Sequence, residues 1–271
     1  MKKMIFCSIL LVIFVSAMSQ QMNIATYNLR YANPGDSGNL WKDRAPVVIS
    51  LIRFHDFDIF GTQEGLKIQL DDISSALPQY ERYGVARDDG KDKGEFAAIY
   101  FKKEMFKLLG KGDFWLSETP DQPSMGWDGK CCHRICSWVY LQHIKSGKKF
   151  YFFNAHFDHQ GIKARVEGSK LVLQKIKQIA GEEPVAFTGD LNGSQTSEWY
   201  LNIQNSGILS DSYNQVKYPY VNNASFNSFG AAKNSKEIID HIFLSKHFTA
   251  TKWGILTDTY HGKFPSDHFP V

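Results

Sequence analysis

The most informative feature of the sequence is where polar side chains stand relative to apolar, strand-like segments. Ionisable and amide residues lie within such segments or at their ends, at Asn28, Glu64, His156, Asp158, Asp190, Asn192, Asp240, His241, Asp267 and His268. Burying groups of this kind costs on the order of several kcal/mol each unless they are paired or bind a metal. Several strand ends that deliver carboxylates to one place would therefore form a metal site.

The types of these side chains indicate which ion and which reaction they would serve. Carboxylate and amide oxygens without thiolates favour a hard cation, Mg²⁺ with Mn²⁺ or Ca²⁺ as alternatives, over zinc. Phosphoester hydrolysis needs a cation to neutralise phosphoryl oxygens, a base to orient water, and donors for the developing charge. The set contains a candidate for each role, although composition alone does not decide the reaction.

Strands and helices must position these residues, and in the first third of the chain they alternate. Residues 22–31 alternate apolar and polar side chains, as a half-buried strand does, and residues 57–64 read as a buried strand. Apolar residues at helical spacing predict helices over 41–55 and 66–77. The order is thus strand, helix, strand, helix.

The rest of the chain reads as antiparallel strands with further helices. A long ordered loop is predicted between Gly110 and Arg134, where Pro, Gly and Trp recur. Gly207 is a plausible C-cap for the last helix. The predicted strands are 95–103, 138–144, 149–158, 184–192, 237–245 and 249–258, and the predicted helices are 162–180 and 197–207.

The N-terminal segment indicates where the protein is located in or outside the cell. Two lysines, an apolar run and small residues within positions 1–19 form the pattern of a secretory signal peptide, and that run is too short to span a bilayer comfortably. We therefore expect an exported protein, periplasmic or extracellular, with residues 20–271 as a single domain because no repeat or linker interrupts them. We also expect a monomer without a transmembrane segment. An uncleaved N-terminal anchor is the alternative.

Net charge argues against a nucleic-acid-binding surface of the usual kind. The formal charge is +3, and without Lys2 and Lys3 of the predicted leader it falls to about +1. Such near-neutrality gives no strong electrostatic footprint for nucleic acid.

Outside Cys7, the cysteines Cys131, Cys132 and Cys136 permit one disulfide with one thiol left over, and their spacing does not favour a zinc site.

Six short motifs, in order, resemble those of the endonuclease/exonuclease/phosphatase superfamily over residues 22–271. They are ATYNLR, TQEG, NAHFDH, TGDLN, IDHIF and the terminal SDHFPV. The resemblance implies a four-layered α/β sandwich, with two mostly antiparallel sheets packed face to face and helices outside. It also implies a divalent-metal-dependent phosphoesterase that hydrolyses a phosphate ester by in-line attack of water.

The same resemblance implies a role for each motif residue. Glu64 would be the principal metal ligand, with Asn28 and Asp267 close to the metal. Asp190 would orient or deprotonate the attacking water, and Asn192 would hold a phosphoryl oxygen. His268, supported by Asp240, would stabilise the transition state, whereas His156 would have Glu95 as its carboxylate partner.

Some residues have a structural interpretation that the sequence leaves open. Glu64 could cap the following helix, and Glu95 follows Lys93 and Gly94, which suggest an exposed turn. Arg87 and Arg134 are candidates for substrate phosphate contacts, with a surface role as the alternative. His159 and His241 are interpreted as structural or surface residues.

The sequence does not name the substrate, because one fold of this kind serves many chemistries. A small phosphodiester, a single-stranded nucleic acid and a phospholipid head group all stay open, so a secreted nuclease or a sphingomyelinase-like phosphodiesterase are alternatives. The competing class is a secreted binding protein that has lost turnover. In the superfamily the SDHFPV-like motif leads into a last strand, whereas this chain stops at Val271; either that strand is absent or the sequence is a fragment.

Overall fold

The structure is a computed structural model that describes residues 21–232 and 235–271. The predicted signal peptide lies outside these residues. The helices are α1 (Trp41–His55), α2 (Lys67–Ala76), α3 (Ile162–Ala180) and α4 (Glu198–Gln204). The strands are β1 (Ile24–Asn28), β2 (Ile59–Gln63), β3 (Tyr80–Tyr83), β4 (Ile99–Lys102), β5 (Phe106–Trp115), β6 (Ile135–His143), β7 (Lys149–His156), β8 (Val185–Asp190), β9 (Ser210–Asp211) and β10 (Asp240–Leu244).

The strands form two mixed sheets. The first has four strands in the order β1-β2-β4-β3, and the second has six in the order β5-β6-β7-β8-β10-β9. Only the pairs β1 with β2 and β7 with β8 are parallel among the described strands, and the other pairs are antiparallel. The carboxyl ends of each parallel pair therefore lie at one edge of their sheet.

Because side chains alternate between the two faces of a strand, each sheet contributes to two hydrophobic clusters, one between the sheets and one under the outer helices. Ile59 of β2 faces the space between the sheets, where it packs with residues such as Phe152 and Ile242. Its neighbour Phe60 faces outwards into the cluster formed with α1 and α2. On the second sheet, Phe187 packs outwards into the cluster formed with α3 and α4. The protein is thus a four-layered α/β sandwich with helices outside, as the resemblance implied.

Local patterns gave several boundaries wrongly. The loop predicted from Gly110 begins only after Trp115, because β5 continues through both Gly110 and Gly112. Residues 249–258 form no strand and make a single isolated bridge, between Gly254 and Tyr220. Strand β3 was not predicted.

Two further expectations concern short segments. Helix α4 ends at Gln204 with Asn205 as its C-cap, not at Gly207. Asp128, in the loop between β5 and β6, accepts hydrogen bonds from the backbone amides of Lys163 and Ala164 at the start of α3 and so anchors this loop.

Cys131 and Cys132 form a disulfide, and Cys136 is a buried free thiol. Among the described residues, no helix combines the length and apolarity that a membrane span requires.

A polar side chain joins the two sheets near the edge where the parallel strands end. Asn154 of β7 donates from Nδ2 to the backbone oxygens of Thr62 (2.9 Å) and Ala98 (3.1 Å) on the first sheet. Its Oδ1 accepts from Gln63 Nε2 at 2.7 Å. Gly61 leaves the space for this contact, since a Cβ there would overlap Asn154 Oδ1. The sheets are therefore held at one fixed separation at this edge.

Replacing Asn154 with alanine should lower the free energy of unfolding by about 3 kcal/mol or more, because several buried polar groups would lose their partners. Urea denaturation followed by circular dichroism measures the change. The control is Asn223→Ala, at an exposed position, which should change the free energy of unfolding by less than about 0.5 kcal/mol. Equal effects of the two substitutions would contradict the role given to Asn154.

Candidate active site

Strand ends from both sheets bring the predicted residues to one edge of the sandwich. Asn28 is the last residue of β1, and Glu64 follows directly after β2. On the second sheet the register places His156 opposite Asp190, and Asp190 opposite Asp240, on three adjacent strands. The two sheets face each other, so these side chains meet across the sandwich.

The amide group of Asn28 links the two sheets at this edge. Its Nδ2 donates to Glu64 Oε1 at 3.2 Å and to Asp190 Oδ2 at 3.0 Å. The second oxygen of Glu64 accepts from the backbone amide of Tyr31 at 3.2 Å. Glu64 does not cap α2, because these bonds turn its carboxylate towards Asn28.

His268 lies between two carboxylates. Its Nδ1 is 2.9 Å from Asp240 Oδ2, and its Nε2 is 3.7 Å from Asp190 Oδ2. Burial alone would lower the pKa of His268, but the charges of Asp240 and Asp190 raise it well above its usual value. The raised pKa favours the imidazolium form of His268, which donates from Nδ1 to Asp240 and carries a second proton on Nε2.

Asp190 is fully buried beside these groups. Burial, with the nearby Asp240 carboxylate, raises the pKa of Asp190 to about 7. Its Oδ1 accepts from the backbone amide of Asn192 at 2.9 Å, so Asp190 and Asn192 form a turn that faces the site. A carboxyl whose pKa lies near neutrality suits proton transfer at that pH.

His156 occupies the other side of Asp190 and is electrostatically the opposite of His268. Its Nε2 lies 3.2 Å from Asn192 Nδ2 and 3.6 Å from Asp190 Oδ2. Burial, together with the positive charges of Arg134 and Arg87, lowers its pKa well below the usual value. His156 is therefore neutral at physiological pH.

Glu95 is not in an exposed turn, contrary to what Lys93 and Gly94 suggested. Its side chain is only 15% exposed and forms a bidentate ion pair with Arg87, at 2.5 and 2.9 Å. Glu95 Oε2 lies 3.8 Å from His156 Nδ1, beyond hydrogen-bond distance, so the partnership that the resemblance implies stays a prediction. Arg87 is thus held by Glu95 instead of being a free surface cation.

Arg134 is buried, so it is not a surface residue either. Its Nη2 lies 2.7 Å from His159 Nδ1, and its Nε lies 3.6 Å from Asp158 Oδ2. Nε and Nη1 have no hydrogen-bond partner within the described part of the chain. Arg134, Arg87, Glu95 and His156 line one cavity, so both arginines lie on the His156 side of the site.

Asp267 approaches Glu64 from the terminal motif. Burial raises the pKa of Asp267, the charge of His268 opposes this rise, and the neighbouring Glu64 carboxylate adds to it. Arg30 Nε lies 3.8 Å from Asp267 Oδ2 while it also pairs with Asp36 at 2.8 Å. Glu64 and Asp267 are therefore two carboxylates within electrostatic reach of each other, and the positive charges of His268, Arg30 and Arg44 also act on Asp267.

Arg44 positions two of the motifs, and the sequence analysis did not find it. Its guanidinium is fully buried and donates to the backbone oxygens of Leu29 (2.8 Å), Arg30 (3.0 Å) and Pro265 (2.7 Å). These residues flank Asn28 and Asp267 in the chain. A cation on the apolar face of a predicted helix was the signal that could have revealed it.

Three of the eight non-glycine residues with positive φ in the described part of the chain lie near the same edge. Glu64 (φ 61°), Asn192 (φ 46°) and Arg30 (φ 52°) adopt the left-handed conformation that non-glycine residues seldom occupy. These three strained positions are among the residues at the candidate site.

His241 lies outside this group. Its ring nitrogens contact Asp211 Oδ2 and the backbone oxygen of Gly193, in keeping with its structural interpretation.

A comparison with protein-family models identifies the chain. The model of the Endonuclease/Exonuclease/phosphatase family matches residues 25–268. The chain belongs to this family. Its members are hydrolases that act on phosphoester bonds.

Solved structures of the same family are similar along nearly the whole chain. A mannosyl-6-phosphatase from Bacteroides thetaiotaomicron is 47% identical, with a TM-score of 0.89 over 92% of this chain and 97% of that chain. A family member from Bacteroides vulgatus is 36% identical, with a TM-score of 0.88 over 92% and 96% of the two chains.

A sequence relative is an uncharacterised protein of Acanthamoeba polyphaga mimivirus. It is 28% identical over 209 residues, and that match spans 63% of this chain but only 30% of the viral protein.

The charge on His268 provides a direct test of this geometry. Asp240→Asn should lower the pKa of His268, because a neutral amide no longer stabilises the imidazolium and the proton is lost at lower pH. Titration of the imidazole nitrogens by NMR measures the shift. Asp211→Asn, in the separate pair with His241, is the matched control and should leave the titration of His268 in place. An unchanged pKa in the Asp240 variant would contradict the assignment.

Proposed function

We propose that this chain is an exported, divalent-metal-dependent phosphoesterase that removes the phosphate from a phosphorylated sugar. The observation that carries the proposal is the convergence of Asn28 and Glu64 from one sheet with Asp190 and His268 beside the other. The export part rests on the leader pattern of residues 1–19. The sugar part rests on the mannosyl-6-phosphatase that is similar over almost the full length.

Glu64, Asn28 and Asp267 would hold the metal. All three supply hard oxygen donors, and two of them are carboxylates, a donor set that suits a divalent cation such as Mg²⁺, Mn²⁺ or Ca²⁺. Asn28 Oδ1 accepts one bond, from the Arg30 amide at 3.0 Å, and keeps a second lone pair. A bound cation would supply neutralisation of the phosphoryl oxygens.

A second grouping also has the spacing of a metal site, but its chemistry differs. Asp190, Asp240 and His268 each offer a ligand atom within 4.8 Å of the others. His268 Nδ1 is already hydrogen-bonded to Asp240 at 2.9 Å, and an imidazole that holds a proton on each nitrogen has no lone pair to give to a metal. We therefore assign this trio to proton transfer and charge stabilisation.

In the proposed reaction Asp190 takes the proton from the attacking water, for which its pKa of about 7 is suited. The P–O bond to the sugar breaks as the bond from the water oxygen to phosphorus forms, and the departing sugar oxygen takes up a proton from solvent. His268 donates from Nε2 to the phosphoryl oxygens as negative charge develops, and Asp240 keeps it protonated. Asn192 holds another phosphoryl oxygen. His156, supported by Glu95, orients Asn192 through the contact at 3.2 Å.

Arg134 and Arg87 would contact the substrate phosphate from the His156 side. Arg134 Nη1 and Nε and Arg87 Nε have no hydrogen-bond partner among the residues described. Buried guanidinium donors left unpaired are costly unless a ligand or water satisfies them. A terminal phosphate supplies the oxygens that such donors bind.

Asp190→Asn should reduce kcat for p-nitrophenyl phosphate by about a thousandfold, in the range of lost general base catalysis. Steady-state kinetics with Mg²⁺ or Mn²⁺ measures it, and Asp211→Asn, a buried aspartate outside the site, is the control. EDTA should abolish the wild-type activity, and Glu64→Gln should weaken Mn²⁺ binding in calorimetry. Wild-type protein without turnover in any metal would instead support the binding-protein alternative.

A substrate panel should separate the sugar phosphatase from the nuclease and sphingomyelinase alternatives. We expect phosphate release from mannose 6-phosphate without cleavage of plasmid DNA, RNA or sphingomyelin. The physical reason is that a chain of near-neutral net charge attracts a polyanion only weakly. Phosphate release is measured by a molybdate assay, and the other substrates by gel electrophoresis and lipid chromatography. Cleavage of a diester in preference to the sugar phosphate would reject the proposed substrate.

A further inference from the structure

His159 is presented at the edge of the site by a fixed turn. It follows Asp158, which comes two residues after the last residue of β7. Asp158 Oδ1 accepts from the backbone amides of Gln160 (2.7 Å) and Gly161 (2.6 Å), which fixes the segment on both sides of the imidazole. The imidazole itself is exposed. A rigid turn thus holds a solvent-accessible ring beside a buried arginine.

The contact with Arg134 determines the proton position on His159. A guanidinium only donates hydrogen bonds, so Arg134 Nη2 is the donor and His159 Nδ1 is the acceptor in the 2.7 Å contact. Burial and the charge of Arg134 lower the pKa of His159, which keeps the ring neutral. The remaining proton is therefore on Nε2. No hydrogen bond between described residues uses this N–H.

His159 contacts Arg134, which lies on the His156 side of the site, and is itself exposed to solvent. Arg134 lines a cavity with Arg87 and His156, and it lines a second one with Cys132 and Asp158. Charged Glu64 acts on His159 as well, which places the ring within electrostatic reach of the predicted metal ligand. A substrate whose phosphate contacts Arg134 would extend its remaining part past His159.

We propose that His159 is a specificity residue whose Nε2–H donates a hydrogen bond to a hydroxyl oxygen of the group esterified to the phosphate. A neutral donor suits a hydroxyl group, whereas the guanidiniums suit the phosphate anion. The enzyme would therefore prefer phosphomonoesters of polyhydroxylated alcohols, such as hexose 6-phosphates, over aryl phosphates. This inference rests on the proposed function and deepens it by assigning the contact that recognises the sugar.

The test compares kcat/KM for mannose 6-phosphate and for p-nitrophenyl phosphate in four variants. Asparagine keeps an acceptor near the position of Nδ1 and so preserves the Arg134 contact, but it does not reach the position of Nε2. Glutamine places a donor near the position of Nε2. His159→Asn and His159→Ala should lower the sugar-to-aryl ratio about tenfold, the loss typical of one neutral hydrogen bond, and His159→Gln should restore part of it. Gln160→Ala, at the next exposed position, is the matched control for the turn.

The outcomes distinguish this inference from the proposed function. A ratio that stays constant in His159→Asn and His159→Ala, because both substrates lose activity equally or neither does, overturns the specificity role. A wild-type enzyme that hydrolyses both substrates without preferring the sugar overturns the inference and leaves the phosphoesterase standing. Wild-type protein that hydrolyses neither substrate with any divalent metal overturns both.

Discussion

The site depends on one amide group that serves two carboxylates from different sheets. Asn28 Nδ2 bonds to Glu64 within the first sheet and to Asp190 in the second. An amide can satisfy both acceptors without adding charge, whereas a lysine in its place would change the pKa of each carboxylate. The distance between the proposed metal ligands and the proposed base is therefore set by a neutral side chain.

The two site histidines show how neighbouring charges give identical side chains opposite properties. His268 lies between two carboxylates and is protonated, while His156 lies near two guanidiniums and is neutral. Both contact Asp190 within 3.7 Å. Placing a donor and a neutral positioning group on opposite sides of one carboxyl lets a single fold separate the tasks of charge stabilisation and orientation.

Much of the site was predictable because polar residues end or begin apolar strands. Because β1 pairs with β2 and β7 with β8 in parallel, the polar residues at the ends of these strands lie at the same edge of the sandwich. The predicted strand over residues 249–258 failed because local propensity does not reveal whether a neighbouring strand is available for pairing. Strand β5 was not predicted, because its Gly110 and Gly112 resemble a loop, although Gly112 is needed where the Trp138 ring crosses it.

Other residues could not be predicted because their partners are distant in the chain. Arg44 binds the backbone on either side of two motifs that are more than two hundred residues apart. His159 acquires its importance only from Arg134, which is brought to it by the pairing of β6 with β7. Such contacts leave no periodic pattern in the sequence, so they cannot be predicted from residue type or spacing.

The close approach of Gly61 to Asn154 constrains how the family can diversify. Any side chain at position 61 would occupy the volume that the Asn154 carboxamide now fills between the sheets. A larger residue at one position is compatible only with a smaller residue at the other, so substitutions at the two should arise together. Without such a paired change, a departure from glycine here would set the sheets at another spacing, and with it the distance from the proposed metal ligands to the proposed base.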